Sequence, residues 1–337
     1  MPHRNAALLS ARFALCALLA IASLSIADEQ ASGHRAVSVR VVVLSTMLAE
    51  GSADGTVATL IGEWGYSALV EVDGRKILFD TGARPDTVLK NARALGIDLS
   101  DVVDVVLTHN HADHTGGLLT LRRELSRQNP QAMSCAHVGK GIFWSRPSSA
   151  GEKNKMIALR QEYESAGGVF VEHAELDELA PGVWLTGPVP RKYPERNWSV
   201  TGTVSTPSGV IEDNIPEDMA MVIDTDRGLV VVSGCGHAGI VNTLTFARER
   251  IRQVPIYAAI GGFHLFRLDD VKLQWTGERL KEMDLGNLLG GHCTGIESVF
   301  RIREAAGLSR RSAIVSAVGS SFTLDKGIDP GPLGLAR

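Results

Sequence analysis

The segment from His109 to His114 concentrates side chains that bind metal ions. It reads His-Asn-His-Ala-Asp-His, so three imidazoles and one carboxylate lie within six residues. Burying polar groups at this density would be costly without a cation. Imidazole and carboxylate ligands together favour zinc, with iron or manganese as alternatives. The segment therefore predicts a metal centre, and two ions sharing a water would lower the pKa of that water and supply a hydroxide.

The chain around this segment explains how the ligands could be aimed. An apolar run from Val102 to Leu107 predicts a strand that ends just before the segment. Side chains two residues apart on an extended chain point the same way, so His109 and His111 can reach one ion. Asp113 and His114 fall where the chain turns into a predicted helix, from which they can reach a second ion about 3.5–4 Å away.

The remaining ligands have to come from distant parts of the chain. His237, His264 and His292 stand beside glycines at predicted strand ends, where the backbone can approach a metal closely. Three other histidines lack this setting and are predicted to be structural or surface residues: His34, His137 and His173.

Strand patterns occur in both halves of the chain. Ser67–Val72 and Lys76–Phe79 flank Asp73-Gly74, a dipeptide suited to a tight hairpin, and Met219–Asp224 and Leu229–Ser233 form a second hairpin. Further elements are predicted as strands at 39–44, 169–172, 183–186 and 255–260 and as helices at 86–95, 118–125, 152–165 and 240–251. The pattern predicts one mixed α/β domain over residues 38–325, built as two β-rich halves packed sheet on sheet with helices outside, and a C-terminal tail over 326–337.

Composition narrows the class of partner. The chain has 337 residues, 44% of them hydrophobic and 21% charged, which is enough to bury a sizeable core. Its formal net charge of -4 gives no basic field for a phosphate backbone. We therefore expect a small-molecule substrate and no nucleic acid, while the oligomeric state stays open.

The N-terminus predicts an export signal. Arg4 and Arg12 precede an apolar run from Phe13 to Ile26, and small residues lead up to Ala27. This pattern is typical of a signal peptide over residues 1–27, and the run is shorter than the roughly 20 residues of a membrane span. We expect a periplasmic or secreted protein with no stable span after cleavage; an uncleaved anchor helix is the alternative.

Cleavage would leave three cysteines, Cys135, Cys235 and Cys293. An odd number excludes a full disulfide framework. Cys235 and Cys293 lie beside His237 and His292, which points to thiols near a metal. For Cys135 and Cys293, the role of a small buried hydrophobic residue is favoured.

The motif HNHADHTGG resembles the HxHxDH signature of the metallo-β-lactamase superfamily, and LFDTG at 78–82 is similar to the strand that this family places beneath its metal site. Further motifs resemble the branch named after dihydropterin ribofuranosyl-aminobenzene phosphate synthase: GEWGYSALVE (62–71), TGPVPR (186–191), SGCGHAGI (233–240), GGFHL (261–265) and GHCTG (291–295). The resemblance covers residues 38–325 and implies a four-layer αβ/βα sandwich with the site in a groove along one edge.

The resemblance also implies roles for individual residues. The implied ligands are His109 and His111 at a first metal and Asp113, His114 and His292 at a second. Asp80 matches a carboxylate that orients a ligand imidazole.

Two departures from the family pattern affect this ligand set. The usual mid-chain histidine has no counterpart between Glu172 and Asp213, and the usual bridging aspartate aligns with Cys235. His237 is therefore expected to supply the third nitrogen at the first metal. Cys235 is either a soft ligand of the second metal or merely adjacent to it, and His264 is either a ligand or, as we favour, part of the pocket wall.

These features favour a dinuclear metal-dependent hydrolase acting on an ester, lactone, amide or phosphoester. Asp113 would orient the hydroxide and accept its proton, and His264 or Lys140 would stabilise the developing oxyanion. A synthase-like transferase is the first alternative, although its pterin substrates belong inside the cell and conflict with an export signal. A non-catalytic metal-binding or redox-sensing protein is the alternative from another class, and β-lactam hydrolysis has no specific support.

Overall fold

The computed structural model describes residues 33–50, 59–198 and 202–331. The predicted signal peptide, 1–27, lies outside them. The first ten strands are β1 (Val39–Ser45), β2 (Ser67–Val72), β3 (Arg75–Phe79), β4 (Asp104–Leu107), β5 (Cys135–Gly139), β6 (Pro147–Ser148), β7 (Gly151–Glu152), β8 (Val169–His173), β9 (Asp177–Ala180) and β10 (Val183–Leu185). The others are β11 (Thr203–Thr206), β12 (Gly209–Glu212), β13 (Ala220–Thr225), β14 (Gly228–Ser233), β15 (Ile256–Gly261), β16 (Asn287–Gly290), β17 (Ala313–Val315), β18 (Ser321–Thr323) and β19 (Gly327–Asp329).

These strands form two large mixed sheets and two short ribbons. The first sheet has the order β19-β18-β1-β2-β3-β4-β5-β8, and the second has the order β17-β16-β15-β14-β13-β10-β9. The ribbons pair β11 with β12 and β6 with β7. The helices are α1 (Thr87–Ala94), α2 (Ala112–Thr115), α3 (Leu118–Leu125), α4 (Met156–Ser165), α5 (Ile240–Arg250), α6 (Asp270–Glu282) and α7 (Ile296–Ala305).

Three apolar clusters bind the layers together. Alternate residues of each strand point to opposite faces of its sheet. One set of faces meets between the sheets, where Val41, Val106 and Val232 are buried in a single cluster. The outer face of the first sheet packs on α1, α3 and α4, and that of the second packs on α5, α6 and α7. The four-layer αβ/βα sandwich expected from the sequence is confirmed.

The strands around the site begin and end close to where the sequence predicts. The boundaries of other elements differ from the prediction. The helix predicted to begin at Glu152 begins at Met156, because Glu152 belongs to the ribbon strand β7 and the Asn154 side chain accepts a hydrogen bond from the Met156 backbone. The first sheet extends past the expected boundary at residue 325, since β19 pairs antiparallel with β18. Among the described residues, no helix has the length and apolarity needed to cross a membrane.

Parallel strands bring the candidate ligands to one edge. In the first sheet β3 runs parallel to β4, and in the second β14, β15 and β16 are mutually parallel neighbours. Their carboxyl ends lead into Asp80, His109, Gly234, His264 and His292, respectively. Loops at the carboxyl ends of parallel strands are a common location for functional residues in layered α/β folds.

Two glycines after the histidine segment allow the loop that follows β3 to lie against α2. A methyl group on Gly116 would be 2.1 Å from the Ala83 carbonyl oxygen, and one on Gly117 would be 2.4 Å from that of Thr81. The Gly116 backbone also donates a hydrogen bond to the Gly82 carbonyl at 2.9 Å. The glycine pair thus fixes the distance between Asp80 and the histidine segment.

We expect Gly116→Ala to lower the free energy of unfolding by about 1–3 kcal/mol, because the added methyl group forces the loop after β3 away. Chemical denaturation of the metal-free protein measures this change. Gly33→Ala is the control, since an added methyl group there meets nothing within 4 Å. Equal stability of the two variants would contradict this account of the loop.

Candidate metal centre

His109 and His111 follow β4 and aim their rings at one point. Nε2 of His109 lies 3.0 Å from Nδ1 of His111. The other nitrogen of His109 lies 3.0 Å from the Thr108 hydroxyl, which bonds in turn to Asp80. His109 therefore donates from Nδ1 to Thr108 and keeps a lone pair on Nε2. Two ring nitrogens this close require a shared proton or a cation between them.

His237 completes this first group from the second sheet. Its ring centroid lies 4.7 Å from that of His109 and 5.0 Å from that of His111. Nδ1 of His237 is 2.5 Å from the Asn197 carbonyl oxygen, so it must carry the proton and donate. Nε2 then carries a lone pair, is buried, and has no hydrogen-bond partner among the described residues. A buried lone pair without a donor fits a metal ligand.

A second group forms around Asp113, His114 and His292. Nε2 of His292 lies 3.4 Å from Oδ2 of Asp113, and the His114 and His292 ring centroids are 5.0 Å apart. His292 follows β16 at a positive φ of 46°, in a 3-10 turn over His292–Thr294. The structure thus brings together the late histidine and the second pair of the HNHADH segment.

Cys235 lies between the two groups. Its sulfur and the nearest ring nitrogens of His109 and His237 are all within 4.8 Å of one another, and the same holds for its sulfur with His114 and His292. Its sulfur is 3.1 Å from Nε2 of His114. Cys235 therefore occupies the position of a ligand that both groups could share, which the sequence had left open.

Asp80 orients the second group from behind. The carboxylate is fully buried, accepts the Thr108 backbone N–H at 2.8 Å, and receives a hydrogen bond from Nδ1 of His114 at 2.7 Å. Burial lowers the pKa of the His114 imidazole, but the charge of Asp80 and its hydrogen bond outweigh burial and raise that pKa to about 9. At neutral pH the ring therefore carries a proton on each nitrogen, so an ion would have to displace the Nε2 proton, while the Nδ1–H stays bonded to Asp80.

Electrostatics hold His109, His111 and Asp113 in ligating form, whereas burial raises the pKa of the Cys235 thiol well above its ordinary value. Burial lowers the pKa of His109 well below its ordinary value and that of His111 to about 4. Burial alone would raise the pKa of the Asp113 carboxyl, but its contact with His292 and the neighbouring imidazoles hold it below the ordinary value. Neutral imidazoles and an ionised carboxylate are the states that bind metal ions.

His264 and Cys293 stand at the side of the two groups. The His264 ring centroid is 4.6 Å from that of His237, and the ring is half-buried, with φ at 49°. The Cys293 sulfur is 3.2 Å from the Cys235 sulfur, and ligand atoms of Cys235, His264 and Cys293 lie within 4.8 Å of one another. Cys293 is fully buried, as expected for a small hydrophobic residue, and its sulfur also lies near the two groups. His264 is placed to be a ligand or a wall of the pocket.

The entrance has an aromatic side and a polar side. Trp64, 48% exposed, packs edge-on against Phe266 and lies 4.9 Å from the His292 ring. On the other side, a cavity is lined by Asn110, His111, Arg146, Pro147, Ser148, Lys153, Gly202, Thr203 and Asp213. Arg146 is held by Asp213 at 2.8 Å and by Glu217 at 2.6 Å.

Several residues that build the site were not found from the sequence. Asn197 and Glu195 lie in a loop without regular periodicity, yet the first orients His237 and the second accepts the backbone N–H groups of Val241 and Asn242 at the start of α5. Lys140, which was expected to stabilise an oxyanion, is exposed, and its backbone bonds to β8. Lys140 is not among the described residues that line the cavity beside His111.

The comparisons with known proteins agree with this geometry. The family description "Metallo-beta-lactamase superfamily" matches residues 65–126. The chain is 32% identical over 243 residues to the 7,8-dihydropterin-6-methyl-4-(beta-D-ribofuranosyl)-aminobenzene-5'-phosphate synthase of Methanocaldococcus jannaschii, covering 69% of this chain and 82% of that protein. The chain therefore belongs to the metallo-β-lactamase superfamily.

Solved structures support the same assignment. The chain is 28% identical to Tm1679, described as a metal-dependent hydrolase of the β-lactamase superfamily, with a TM-score of 0.62 and coverage of 79% of this chain and 93% of that one. It shares the fold of Zn(2+)-bound PqqB from Methylobacterium extorquens at 16% identity, with a TM-score of 0.51 and coverage of 84% and 99%.

We expect Asp80→Asn to weaken zinc binding at the centre by roughly ten- to a hundredfold, because the amide cannot accept from both Thr108 and His114 as the carboxylate does. Competition with a chelator of known affinity measures the change. Asp98→Asn is the matched control, since the exposed Asp98 carboxylate bonds only to the local Ser100 turn. Unchanged affinity in Asp80→Asn would show that the carboxylate does not orient a ligand.

Proposed function

We propose that the chain is a dinuclear metal-dependent hydrolase that acts on an ester, lactone, amide or phosphoester of a small molecule. The observation that carries the proposal is the position of the Cys235 sulfur, within 4.8 Å of ring nitrogens in both ligand groups. A closed structural zinc site needs only four ligands. Here two groups of candidate ligands lie on either side of the Cys235 sulfur, and this arrangement supports two neighbouring ions.

The donor set supports zinc, with iron or manganese as substitutes. The candidate ligands are His109, His111 and His237 for one ion, Asp113, His114 and His292 for the other, and Cys235 shared between them. The unpartnered Nε2 of His237 fits such a group. When bound, two ions would supply an activated water and stabilise an anionic transition state.

The chain's own residues would then handle proton and charge. Asp113 stays ionised at neutral pH, so its carboxylate can accept a hydrogen bond from a water and orient it. His264, half-buried beside His237, has a buried Nδ1 without a hydrogen-bond partner among the described residues. That ring is positioned to contact the substrate oxygen on which charge develops.

The two sides of the entrance support a substrate with both an apolar and a polar part. Trp64 and Phe266 offer aromatic faces, on which planar groups pack well. Lys153 and Asn110 line the opposite cavity, where they can meet a polar or anionic group. The similarity to Tm1679, described as a hydrolase, supports the same reaction class.

A synthase-like transferase is the second candidate. Its support is the 32% identity to the dihydropterin ribofuranosyl-aminobenzene phosphate synthase, which covers 82% of that protein. In that case the same ligand groups would hold a phosphate-containing leaving group. A non-catalytic metal-binding or redox-sensing protein is the third, supported by the 3.2 Å separation of the Cys235 and Cys293 sulfurs.

We expect Asp113→Asn to lower kcat/KM by roughly a hundred- to ten-thousandfold, because the neutral amide lacks the negative charge that would bind an ion and orient the attacking water. The assay screens the purified protein against lactone, phosphodiester, thioester and β-lactam substrates and measures metal content in parallel. Asp101→Asn, which alters an exposed carboxylate paired with Lys76, is the control. Turnover indifferent to Asp113→Asn, or fewer than about one metal ion per chain, would exclude the dinuclear mechanism.

The site of action distinguishes the hydrolase from the synthase. We expect the mature chain to begin at Asp28 and to be recovered outside the cytoplasm, because the N-terminal pattern is typical of a cleaved signal. Cell fractionation followed by intact mass measurement tests this. A cytoplasmic chain that retains residues 1–27 would favour the synthase.

A further inference from the structure

A second cluster of metal-binding side chains lies at the opposite end of β4 from the candidate centre. Asp104 begins β4, whereas the His109 segment follows its carboxyl end. Cys135 and His137 lie on the neighbouring strand β5. One ligand atom from each of Asp104, Cys135 and His137 lies within 4.8 Å of the other two.

Strand register explains why these three side chains meet. Asp104 pairs with Cys135, and Val106 pairs with His137, across parallel strands. Residues that pair, and residues two apart on one strand, point to the same face. Asp104, Cys135 and His137 therefore share the face that carries Val106, which belongs to the core between the sheets.

The cluster is buried but lies next to solvent. Asp104 is 9% and His137 is 6% exposed, while Cys135 is half-buried. On the adjacent strand β8, Val169 pairs with Cys135 and Val171 pairs with His137, and both valines are exposed. The second sheet thus stops short of this edge, which leaves an entry path for an ion.

The distances match a zinc site. Nε2 of His137 is 3.1 Å from Oδ1 of Asp104 and 3.4 Å from the Cys135 sulfur. Tetrahedral zinc, with nitrogen and oxygen at about 2.0 Å and sulfur at about 2.3 Å, separates nitrogen from oxygen by about 3.3 Å and nitrogen from sulfur by about 3.5 Å. The two separations that include His137 therefore differ from those of a zinc site by only a few tenths of an ångström.

Surrounding hydrogen bonds orient the donors for an ion. Nδ1 of His137 is 3.0 Å from Nε2 of His173, and Nδ1 of His173 is 2.9 Å from Oδ2 of Asp177. With Nε2 of His137 bound to an ion, its Nδ1–H donates to His173, whose Nδ1–H donates to Asp177. Every bond then has one donor and one acceptor. Without a cation, the two imidazoles between the carboxylates of Asp104 and Asp177 need an additional proton to satisfy the same bonds.

The remaining oxygen of Asp104 is also engaged. Its Oδ2 accepts a hydrogen bond from Arg75 at 2.7 Å, which leaves Oδ1 directed at His137. Outer partners that fix carboxylate and imidazole ligands in this way are typical of metal sites.

We propose that Asp104, Cys135 and His137 bind one zinc ion, separate from the candidate centre, with solvent at the fourth position. Carboxylate, thiolate and imidazole together are a donor set suited to zinc. The ion would link β4 to β5 in the first sheet, at the edge that the second sheet does not cover.

Alkylation of the unchanged full-length protein tests the proposal without any variant. Cys135 is partly accessible, and a bound ion would occupy its sulfur, so zinc should slow its reaction with iodoacetamide by about tenfold or more. Mass spectrometry of peptides follows Cys135 separately from Cys235 and Cys293. Equal alkylation of Cys135 with and without saturating zinc would overturn the proposal.

Metal stoichiometry provides an independent test. In a His109→Ala/His114→Ala/Cys235→Ala background, which removes at least one ligand from each of the three groups of the candidate centre, the protein should retain about one zinc per chain after desalting. Adding Cys135→Ser should remove it, whereas adding Val171→Ala, a neighbour without a ligand atom, should not. Loss of all zinc in the background itself, with the fold intact by circular dichroism, would contradict the proposal. Neither outcome depends on whether the chain is a hydrolase.

Discussion

The buried carboxylate of Asp80 is the constraint on which the candidate centre depends. It lies at the end of β3, in a left-handed backbone conformation at φ 53°, and bonds to the Thr108 backbone and hydroxyl and to His114. One carboxylate therefore fixes the separation of two strand ends and the orientation of an imidazole. Since Thr108 also contacts His109, Asp80 influences both ligand groups.

The ligands of the HNHADH segment could be predicted from the sequence because they are adjacent in the chain. The HNHADH segment follows a legible strand, and strand alternation places His109 and His111 together without knowledge of the rest of the chain. The shared position of Cys235 could not be derived in this way. Two-residue spacing would aim Cys235 and His237 alike, but Gly236, at φ 59°, breaks the alternation and sends the sulfur between the groups.

The sequence patterns also failed to predict elements that bury few residues. Helix α6 buries only Leu273, Thr276, Gly277 and Leu280 among its thirteen residues, and this sparse stripe gives little periodicity. A glycine is required in that stripe because a methyl group on Gly277 would lie 2.3 Å from the Ala305 side chain of α7. The cluster on β5 was missed for another reason, since Asp104 reaches Cys135 only through cross-strand register, which depends on the whole sheet.

The Nε2 of His237 is buried and has no hydrogen-bond partner in the described part of the chain, which has a thermodynamic consequence. A buried polar atom without a partner costs about 1–3 kcal/mol, and the metal-free fold carries that cost. A ligand that bonds to this nitrogen recovers that free energy. Part of the binding free energy therefore comes from removing an unfavourable feature of the fold. Filling the cavity with an apolar side chain would also eliminate that feature and stabilise the fold, and the same change would remove the site. Selection for stability alone would therefore favour an apolar residue in place of this histidine.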